Sequence, residues 1–382
     1  MDSTVYILPC PDYAAAPEKL SELLRLMGGM ERFVKPGERV FLKANLLNPS
    51  PPESAVCTHP AVAAGAAALV EGAGASPLLG DSPGAGYHYG EGILRRLYAV
   101  SGMEGAGVEL NFDATWREVS NPAGRVLRRM EIISPALDCA GIIDLCKLKT
   151  HMFMGMTGAV KNLFGLIPGR SKVGFHATMP DQRAFAHMLL DLAGFAAPRL
   201  CIMDAVLAME GQGPGASGTP RQVGLLLASE NPLALDTAAG YLIGLPREQN
   251  PLLLSAEERG LGPTRAEDLA VVGPPLESLR VPGFHLPPTV HRELFDILGP
   301  IKRPAQRLVR AVFSPAPRVE RAACVGCGIC KAACPAGAIS LDGGKAAVDP
   351  GRCIRCFCCH ELCPHRAVAL RRGALAKLSK RI

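Results

Sequence analysis

The chain has 382 residues, of which 48% are hydrophobic and 20% are charged, and its formal net charge is +6. This length exceeds what one small module needs and predicts at least one large domain with its own core. The sequence contains no uninterrupted apolar run that could cross a bilayer. The first residues lack the basic and apolar segments of a secretory signal, so we expect a cytoplasmic protein.

The N-terminal part of the chain alternates predicted strands and helices. Strands over residues 5–9 and 39–44 flank an amphipathic helix over 17–27, whose apolar residues recur every three or four positions. Further strands are predicted over 77–79, 141–149, 200–203, 223–228 and 269–272, and further helices over 60–72, 91–101 and 231–243. This order predicts an α/β fold with a mainly parallel sheet and helices on both faces.

Polar residues follow several of these strands, at the sheet edge where α/β proteins usually bind ligands. Lys43 lies at the end of the second strand, and the glycine-rich loop 80–86 contains Asp81, a candidate metal ligand. A second polar loop is predicted over 204–218. The first loop is not a dinucleotide-binding fingerprint, and no G-x4-G-K-[ST] motif occurs. We therefore expect an anion or a metal at this edge, and no nucleotide.

Basic side chains are concentrated in one segment with many apolar neighbours. They are Lys147, Lys149, His151, Lys161, Arg170, Lys172 and His176. This cluster favours an anion or metal pocket over a set of unrelated surface residues. The candidate catalytic residues are His151, Lys161, Lys43 and Lys149, and the candidate metal ligands in this part are His176 and Asp81. A further metal or organic cofactor is a candidate occupant of the same pocket.

The C-terminal part contains two copies of one cysteine pattern, C-x2-C-x2-C-x3-C-P, separated by 29 residues. Three closely spaced thiolates hold one 4Fe-4S cluster, and the cysteine before proline reaches the other cluster. One cluster is assigned Cys324, Cys327, Cys330 and Cys363, and the other Cys353, Cys356, Cys359 and Cys334. The pattern resembles that of bacterial two-cluster ferredoxins and predicts two 4Fe-4S clusters. Zinc is disfavoured, because zinc sites use separated C-x2-C pairs.

A ninth thiol, Cys358, precedes Cys359 within the second copy. The spacing favours Cys359 as the ligand and leaves Cys358 spare. Cys358 is then either a small buried residue or a redox-sensitive alternative ligand.

Four regions follow from these patterns. An α/β body covers residues 1–284, a helical and proline-rich linker 285–318, a ferredoxin-type domain 319–372 and a basic tail 373–382. From Lys302 onward, 16 Lys and Arg against 4 Asp and Glu give a charge of +12, so the preceding part carries −6. The tail lacks aromatic residues that could stack on bases, so we do not expect nucleic-acid binding.

The body resembles two known families. One is the domain-of-unknown-function family numbered 362, through the segments 43–45, 80–84, 149–169 and 209–214. Its members often carry a ferredoxin-type module. The nickel-pincer lactate racemases are similar in the residues His151, Gly155, Thr157, Gly158, Lys161 and His176. That resemblance implies proton transfer by His151, a cofactor tether at Lys161 and nickel binding at His176.

Three functions are consistent with this sequence. The first is an iron–sulfur oxidoreductase that passes low-potential electrons to a small anionic substrate or a cofactor in the body, with a proton from His151 or a lysine. The second is an electron carrier without its own substrate. The third is a nickel-pincer racemase or epimerase. The first two require a redox partner or electron donor.

Overall fold

The computed structural model describes residues 3–179, 181–287 and 315–371. The strands of the body are β1 (Thr4–Pro9), β2 (Arg39–Ala44), β3 (Ser76–Gly80), β4 (Glu109–Leu110), β5 (Trp116–Ser120), β6 (Arg129–Ile133), β7 (Gly141–His151), β8 (Gly155–Thr157), β9 (Leu200–Gly211), β10 (Gly218–Ser229) and β11 (Ala270–Val272). The helices of the body are α1 (Ala16–Leu26), α2 (Pro60–Gly72), α3 (Glu91–Ser101), α4 (Ser134–Asp138), α5 (Ala159–Asn162), α6 (Gly169–Thr178), α7 (Gln182–Ala196), α8 (Pro232–Leu242) and α9 (Pro251–Glu257). Each predicted strand and helix of the body overlaps one of these elements.

Nine strands form one sheet in the order β11-β1-β10-β9-β7-β2-β3-β4, with β8 paired to β7 outside that order. The pairs β1–β11, β2–β3, β2–β7, β3–β4 and β7–β9 are parallel. The pairs β1–β10, β9–β10 and β7–β8 are antiparallel. This topology confirms the predicted α/β fold with a mainly parallel sheet.

Helices cover both faces of the sheet. On β10, Leu225 and Leu227 belong to the apolar core that includes α8, whereas Leu226 and Ala228 belong to the core that includes α1, α2 and α7. Successive side chains of a strand point to opposite faces, so a central strand with alternating core membership is buried on both sides.

Several helices begin where the local sequence specifies a start. The helices α2, α8 and α9 each have proline in the first turn, where a missing N–H costs nothing. Asn231 precedes α8 and accepts a hydrogen bond from the main-chain N–H of Leu233 at 2.9 Å. Asn250 caps α9 in the same way through Leu252, at 3.2 Å.

The predicted loop 204–218 is mostly strand. β9 continues to Gly211 and β10 begins at Gly218, so the two strands form a long antiparallel hairpin. The prediction ended this strand at Met203 and placed Asp204 in the loop. Here Lys147 on the neighbouring strand lies 2.7 Å from the Asp204 carboxylate, and this pairing allows the strand to continue.

The ferredoxin-type domain is a small α+β unit. It consists of β12 (Ala316–Val319), α10 (Ile329–Ala332), β13 (Ile339–Asp342), β14 (Lys345–Val348), α11 (Cys358–Glu361) and β15 (Val368–Arg371). The strands pair antiparallel, β12 with β15 and β13 with β14. The helices α10 and α11 contain Cys330 and Cys359, which occupy equivalent positions in the two copies of the cysteine pattern.

Two predicted regions lie largely outside the described residues. These are the helical and proline-rich linker over 285–318 and the basic tail over 373–382. The predicted domain boundaries therefore stay predictions. In the part of the chain that is described, no helix combines the length and apolar character needed to cross a membrane.

Candidate functional site

Two glycine-bearing loops of the body contact the ferredoxin-type domain directly. A side chain at Gly84 would overlap Leu362, and one at Gly215 would overlap the main-chain oxygen of Glu361. Between the same two parts, the His360 Nε2 atom and the Gln212 main-chain oxygen lie 3.3 Å apart. Glycine permits this close backbone approach. The two loops therefore border the sheet edge and also position the ferredoxin-type domain against it.

A cavity lies between the two domains at this sheet edge. About 80 Å³ of it is available to the centres of water molecules, which is room for several waters or a small ligand. The body contributes Asn45, Leu47, Asp81, Ser82, Gly84, Ala85, Lys149, Thr157, Lys161, Asn162, Phe164, Gly165, Lys172, His176 and Pro214, and the ferredoxin-type domain contributes Cys358, Glu361 and Leu362. We call this the interdomain cavity.

Two lysines of the interdomain cavity are held by neutral groups. Lys149 donates to Asn45 Oδ1 at 2.6 Å and to the main-chain oxygen of Val56 at 2.7 Å. Lys172 donates to the main-chain oxygen of Ser82 at 2.6 Å. Burial lowers the pKa of each lysine to about 7, because charging an amine away from water is costly. A bound anion would lower that cost.

Lys161 is the lysine most open to a ligand. It lies on α5, and its ammonium group has no hydrogen-bonding or carboxylate partner within bonding distance in the described residues. It lies 5.9 Å from the centroid of the Phe164 ring. Burial lowers the pKa of Lys161, and the charge of Glu361 opposes that shift.

Lys43 and Asp81 form a buried ion pair with each other, with Nζ and Oδ1 2.7 Å apart. Asp81 also accepts main-chain hydrogen bonds from Leu46 at 2.6 Å and Ser82 at 2.7 Å. Lys43 is not among the residues that line the interdomain cavity. Its charge is therefore neutralised behind the wall of the cavity, although the sequence made Lys43 a candidate catalytic residue.

His151 connects the body to the ferredoxin-type domain. Its Nδ1 atom accepts main-chain hydrogen bonds from Phe153 at 3.0 Å and Met154 at 3.2 Å. A neutral ring therefore carries its proton on Nε2. This atom lies 3.4 Å from Glu361 Oε1, but the two atoms do not form a hydrogen bond and neither has another partner in the described residues. Burial lowers the pKa of His151 well below its ordinary value, so this histidine is neutral.

Glu361 is the functional candidate that the sequence did not indicate. It lies between the predicted ligands Cys359 and Cys363, and a single carboxylate within a cysteine motif has no spacing signal of its own. Burial raises the pKa of Glu361 to about 7, while Lys161 and Lys149 act in the opposite direction. Only the packing of the two domains brings this carboxylate into the interdomain cavity.

His176 forms an aromatic part of the wall. Its ring stacks on Phe185, with centroids 4.7 Å apart, and meets Phe153 and Phe164 edge to face. It lies four residues after Lys172 on α6, so both side chains leave the same helix face. Burial lowers the pKa of His176 to about 3, which leaves the ring neutral.

Three residues that line the interdomain cavity have buried polar atoms without a hydrogen-bonding partner in the described part of the chain. These atoms are Thr157 Oγ1, His176 Nδ1 and Glu361 Oε1. Buried polar atoms in proteins are nearly always satisfied, so their convergence on one cavity indicates a ligand or water there. No group of three or more His, Cys, Asp or Glu in the described residues is close enough together to hold a single metal ion, whereas ligands of a multi-iron cluster are spaced more widely. Metal binding by His176 and Asp81 stays a prediction.

Two acidic residues after Met203 do not line the interdomain cavity. Asp204 pairs with Lys147, and Glu210 lies 3.1 Å from the His285 ring.

The eight predicted cluster ligands surround two separate cavities. One is lined by Cys324, Cys327, Cys330 and Cys363, and the other by Cys334, Cys353, Cys356 and Cys359. Main-chain N–H groups point at three of the sulfurs: Ala346 at Cys324, 3.4 Å, Ala338 at Cys334, 3.2 Å, and Ala367 at Cys363, 3.3 Å. Four free thiols with N–H donors are a donor set that suits a 4Fe-4S cluster, whose sulfurs accept such hydrogen bonds.

Cys358 lines the interdomain cavity and neither of the cysteine-lined cavities. Its thiol is hydrogen-bonded to Cys356, and this bond together with burial raises the pKa of Cys358 well above its ordinary value. The residue is therefore buried beside a predicted ligand and outside the cavity that this ligand lines.

We expect Cys358→Ser to leave the iron content near eight per chain, because Cys358 faces the interdomain cavity. Cys359→Ser should lower the iron content to about half of that value. Iron and sulfide quantitation on anaerobically purified protein measures both. Loss of iron in Cys358→Ser with retention in Cys359→Ser would exchange the roles of the two cysteines.

Comparison with known proteins identifies the family of the body. Residues 40–240 match the model of a domain of unknown function, DUF362. The chain belongs to the DUF362 family. Residues 316–364 match a 4Fe-4S dicluster domain, so this family member is an iron–sulfur electron-transfer protein.

A curated relative matches most of this chain. A thylakoid-associated protein of Synechocystis is 35% identical over 324 residues, which cover 82% of this chain and 94% of that protein. Among solved structures, the lactate racemase apoprotein from Thermoanaerobacterium thermosaccharolyticum is similar in fold, with a TM-score of 0.39 and 13% sequence identity. The match covers 60% of this chain and 54% of the racemase chain. A Thermotoga maritima protein matches 53% of this chain over 52% of its own, with 12% identity and a TM-score of 0.32.

Proposed function

We propose that this DUF362 protein is a reductase that binds a small anionic molecule in the interdomain cavity and passes electrons to it from two 4Fe-4S clusters. The observation that carries the proposal is the composition of the cavity wall. Lysines of the body line the same space as Cys358, Glu361 and Leu362, which lie among predicted cluster ligands in the sequence. Substrate and electron source would then meet within one cavity.

The charges of the wall support an anionic ligand. Lys149, Lys161 and Lys172 line the interdomain cavity, whereas Asp81 is paired with Lys43. Glu361 is the remaining acidic residue of the wall. Electrostatic attraction is stronger away from water, so three amines facing one free carboxylate favour a bound carboxylate or a similar anion.

The covalent order of the chain supports a short route for electrons. Cys356 is a predicted ligand, its neighbour Cys358 is hydrogen-bonded to it, and the Cys358 side chain lines the interdomain cavity. When bound, the clusters would supply single low-potential electrons. The protein contributes the positioning of the acceptor and the exclusion of bulk water.

Lys161 is the best-placed proton donor for this reduction. Its ammonium group faces the cavity without a partner in the described residues, and burial lowers its pKa, which makes the proton easier to transfer. His151 contributes differently, because it does not line the interdomain cavity and burial lowers its pKa well below the ordinary value.

The test uses the reduced protein and a panel of small carboxylates, with and without a carbon–carbon double bond. After anaerobic reduction and removal of excess reductant, the visible absorbance of the clusters reports their reoxidation. We expect at least one carboxylate to accelerate reoxidation, and we expect Lys161→Met to slow that acceleration roughly a hundredfold through loss of the charge and the proton donor.

Lys19→Met is the matched control, because Lys19 is a lysine on the exposed side of α1, paired with Glu22. It should behave like the unmodified protein. Equal acceleration in Lys161→Met, or no acceleration by any acceptor, would contradict a reductase and favour an electron carrier.

The affinity for an anion should fall as the pH rises above 7. Lys149 and Lys172 have pKa values of about 7 without a ligand, and a bound anion raises both values by favouring the charged amines. The complex therefore holds more protons than the free protein, and binding weakens by up to about tenfold per pH unit for each lysine that has lost its proton. Calorimetric titration with malonate between pH 6 and 9 measures this slope. An affinity independent of pH would exclude these lysines from the binding site.

A nickel-pincer racemase is the second candidate, favoured by one observation. Lys161 and His176, which that resemblance implies as tether and nickel ligand, line the same cavity. Nickel quantitation and the mass of the peptide that contains Lys161 separate the two functions. Nickel or a lysine adduct would support the racemase, whereas iron near eight per chain without either would support the reductase. The same analysis tests for any further cofactor in the body.

We also propose a cytoplasmic location, as the sequence predicts. The Synechocystis relative is named for its association with thylakoids, so fractionation of cells into soluble and membrane material is the decisive measurement.

A further inference from the structure

We propose that the face of the ferredoxin-type domain around Cys327 is the docking surface for an acidic one-electron donor protein, which reduces the cluster assigned to Cys324, Cys327, Cys330 and Cys363. This inference adds a partner and a surface to the proposed function. It depends on the clusters and does not depend on any ligand in the interdomain cavity.

The exposure of the cysteines selects this face. Of the eight predicted ligands, Cys327 is the exposed one, whereas the other seven are buried or half-buried. A cluster held by an exposed cysteine is the one that a partner can approach most closely. The other predicted cluster includes Cys356, whose neighbour Cys358 faces the interdomain cavity.

The surface around Cys327 is apolar at its centre. Val325 has 59% of its surface exposed and Leu341 has 41%, and both line the cavity that contains Cys327. Ile354, the equivalent of Val325 in the second copy of the cysteine pattern, is less exposed, at 36%. Exposed aliphatic residues next to a redox centre are suited to a transient contact from which water is excluded.

The charge of the ferredoxin-type domain as a whole fits an acidic partner. Residues 315–371 contain eight Lys and Arg and four Asp and Glu, and one of the four acids, Glu361, is buried in the interdomain cavity. Of the exposed acids, Asp342 pairs with Arg321 and Glu320 pairs with Arg371. The outer surface of the domain is therefore basic, and complementary charge accelerates the encounter of transient partners.

The transfer step is a single electron. The reduced donor loses one electron and the cluster gains it, and no bond forms or breaks and no proton moves. A purified acidic [2Fe-2S] ferredoxin is a suitable probe, because it delivers one electron per molecule.

Stopped-flow reduction of the full-length, cluster-loaded protein by this ferredoxin tests the docking surface. We expect the second-order rate constant to fall as salt is added, because the opposite charges are screened. Val325→Glu should lower the rate constant at least tenfold at low salt. Val126→Glu provides the same chemical change at an exposed valine of the body, 43% exposed, and should change it less than twofold.

Three measurements make the result decisive. Iron content and reduction by dithionite must be the same in Val325→Glu and the unmodified protein, and Val325→Ala should keep most of the ferredoxin-dependent rate.

A larger loss of the rate constant in Ile354→Glu than in Val325→Glu would overturn the proposal by placing the docking surface at the other cluster. A rate that is insensitive to salt, or dimers of this chain that Val325→Glu dissociates, would also overturn it. No anionic ligand is added in this experiment, which separates its outcome from that of the reductase test.

Discussion

Replacing Cys334 by serine is expected to remove the cluster assigned to Cys353, Cys356 and Cys359, although Cys334 belongs to the other copy of the cysteine pattern. The reason is spatial, because Cys334 lines the same cavity as those three cysteines. Iron should fall from about eight to about four per chain. Iron and sulfide analysis of anaerobically purified protein, together with electron paramagnetic resonance of the reduced clusters, measures this change.

Double variants show which cluster has been lost. Adding Cys356→Ser to Cys334→Ser should cause no further loss of iron, because both remove the same cluster. Adding Cys327→Ser should remove the remaining iron. Cys10→Ser is the control, since Cys10 is a buried thiol of the body whose Sγ contacts the main-chain oxygen of Asp12. If the iron content fell further on adding Cys356→Ser and did not fall on adding Cys327→Ser, the crossed assignment of ligands would be wrong.

Asp81→Asn is expected to destabilise the body by about 3–5 kcal/mol, because it leaves the Lys43 ammonium buried without a counter-charge. Both side chains are almost fully buried, and their charged atoms are 2.7 Å apart. The free energy of unfolding in urea, followed by circular dichroism, measures the loss. Glu91→Gln is the matched control, because it breaks an exposed ion pair with Arg95, which should cost less than about 1 kcal/mol.

The double variant Lys43→Met with Asp81→Leu distinguishes the ion pair from other roles of these residues. It removes both charges, so we expect it to recover much of the stability that Asp81→Asn loses. A loss below about 1 kcal/mol for Asp81→Asn would contradict a structural ion pair and would favour Asp81 as a ligand of an exogenous cation.

Local sequence patterns were sufficient to predict those features that depend on the spacing of residues close together in the chain. The strand and helix order predicted the α/β fold, because periodicity and proline or asparagine at helix starts are properties of neighbouring residues. The cysteine spacing predicted a dicluster domain for the same reason. The prediction was wrong at Asp204, because Lys147, whose ammonium group lets β9 continue, lies on another strand.

The amino-acid sequence by itself determined the fold class, the cysteine motifs and the set of basic residues over 147–176, since each is expressed in short-range order along the chain. Only the tertiary structure decided which of these residues share a cavity. It paired Lys43 with Asp81, and it placed Lys161 and His176 in the interdomain cavity. It also brought Glu361 there, because long-range packing of the ferredoxin-type domain against two glycine loops is required to form that wall, and no local pattern encodes such packing.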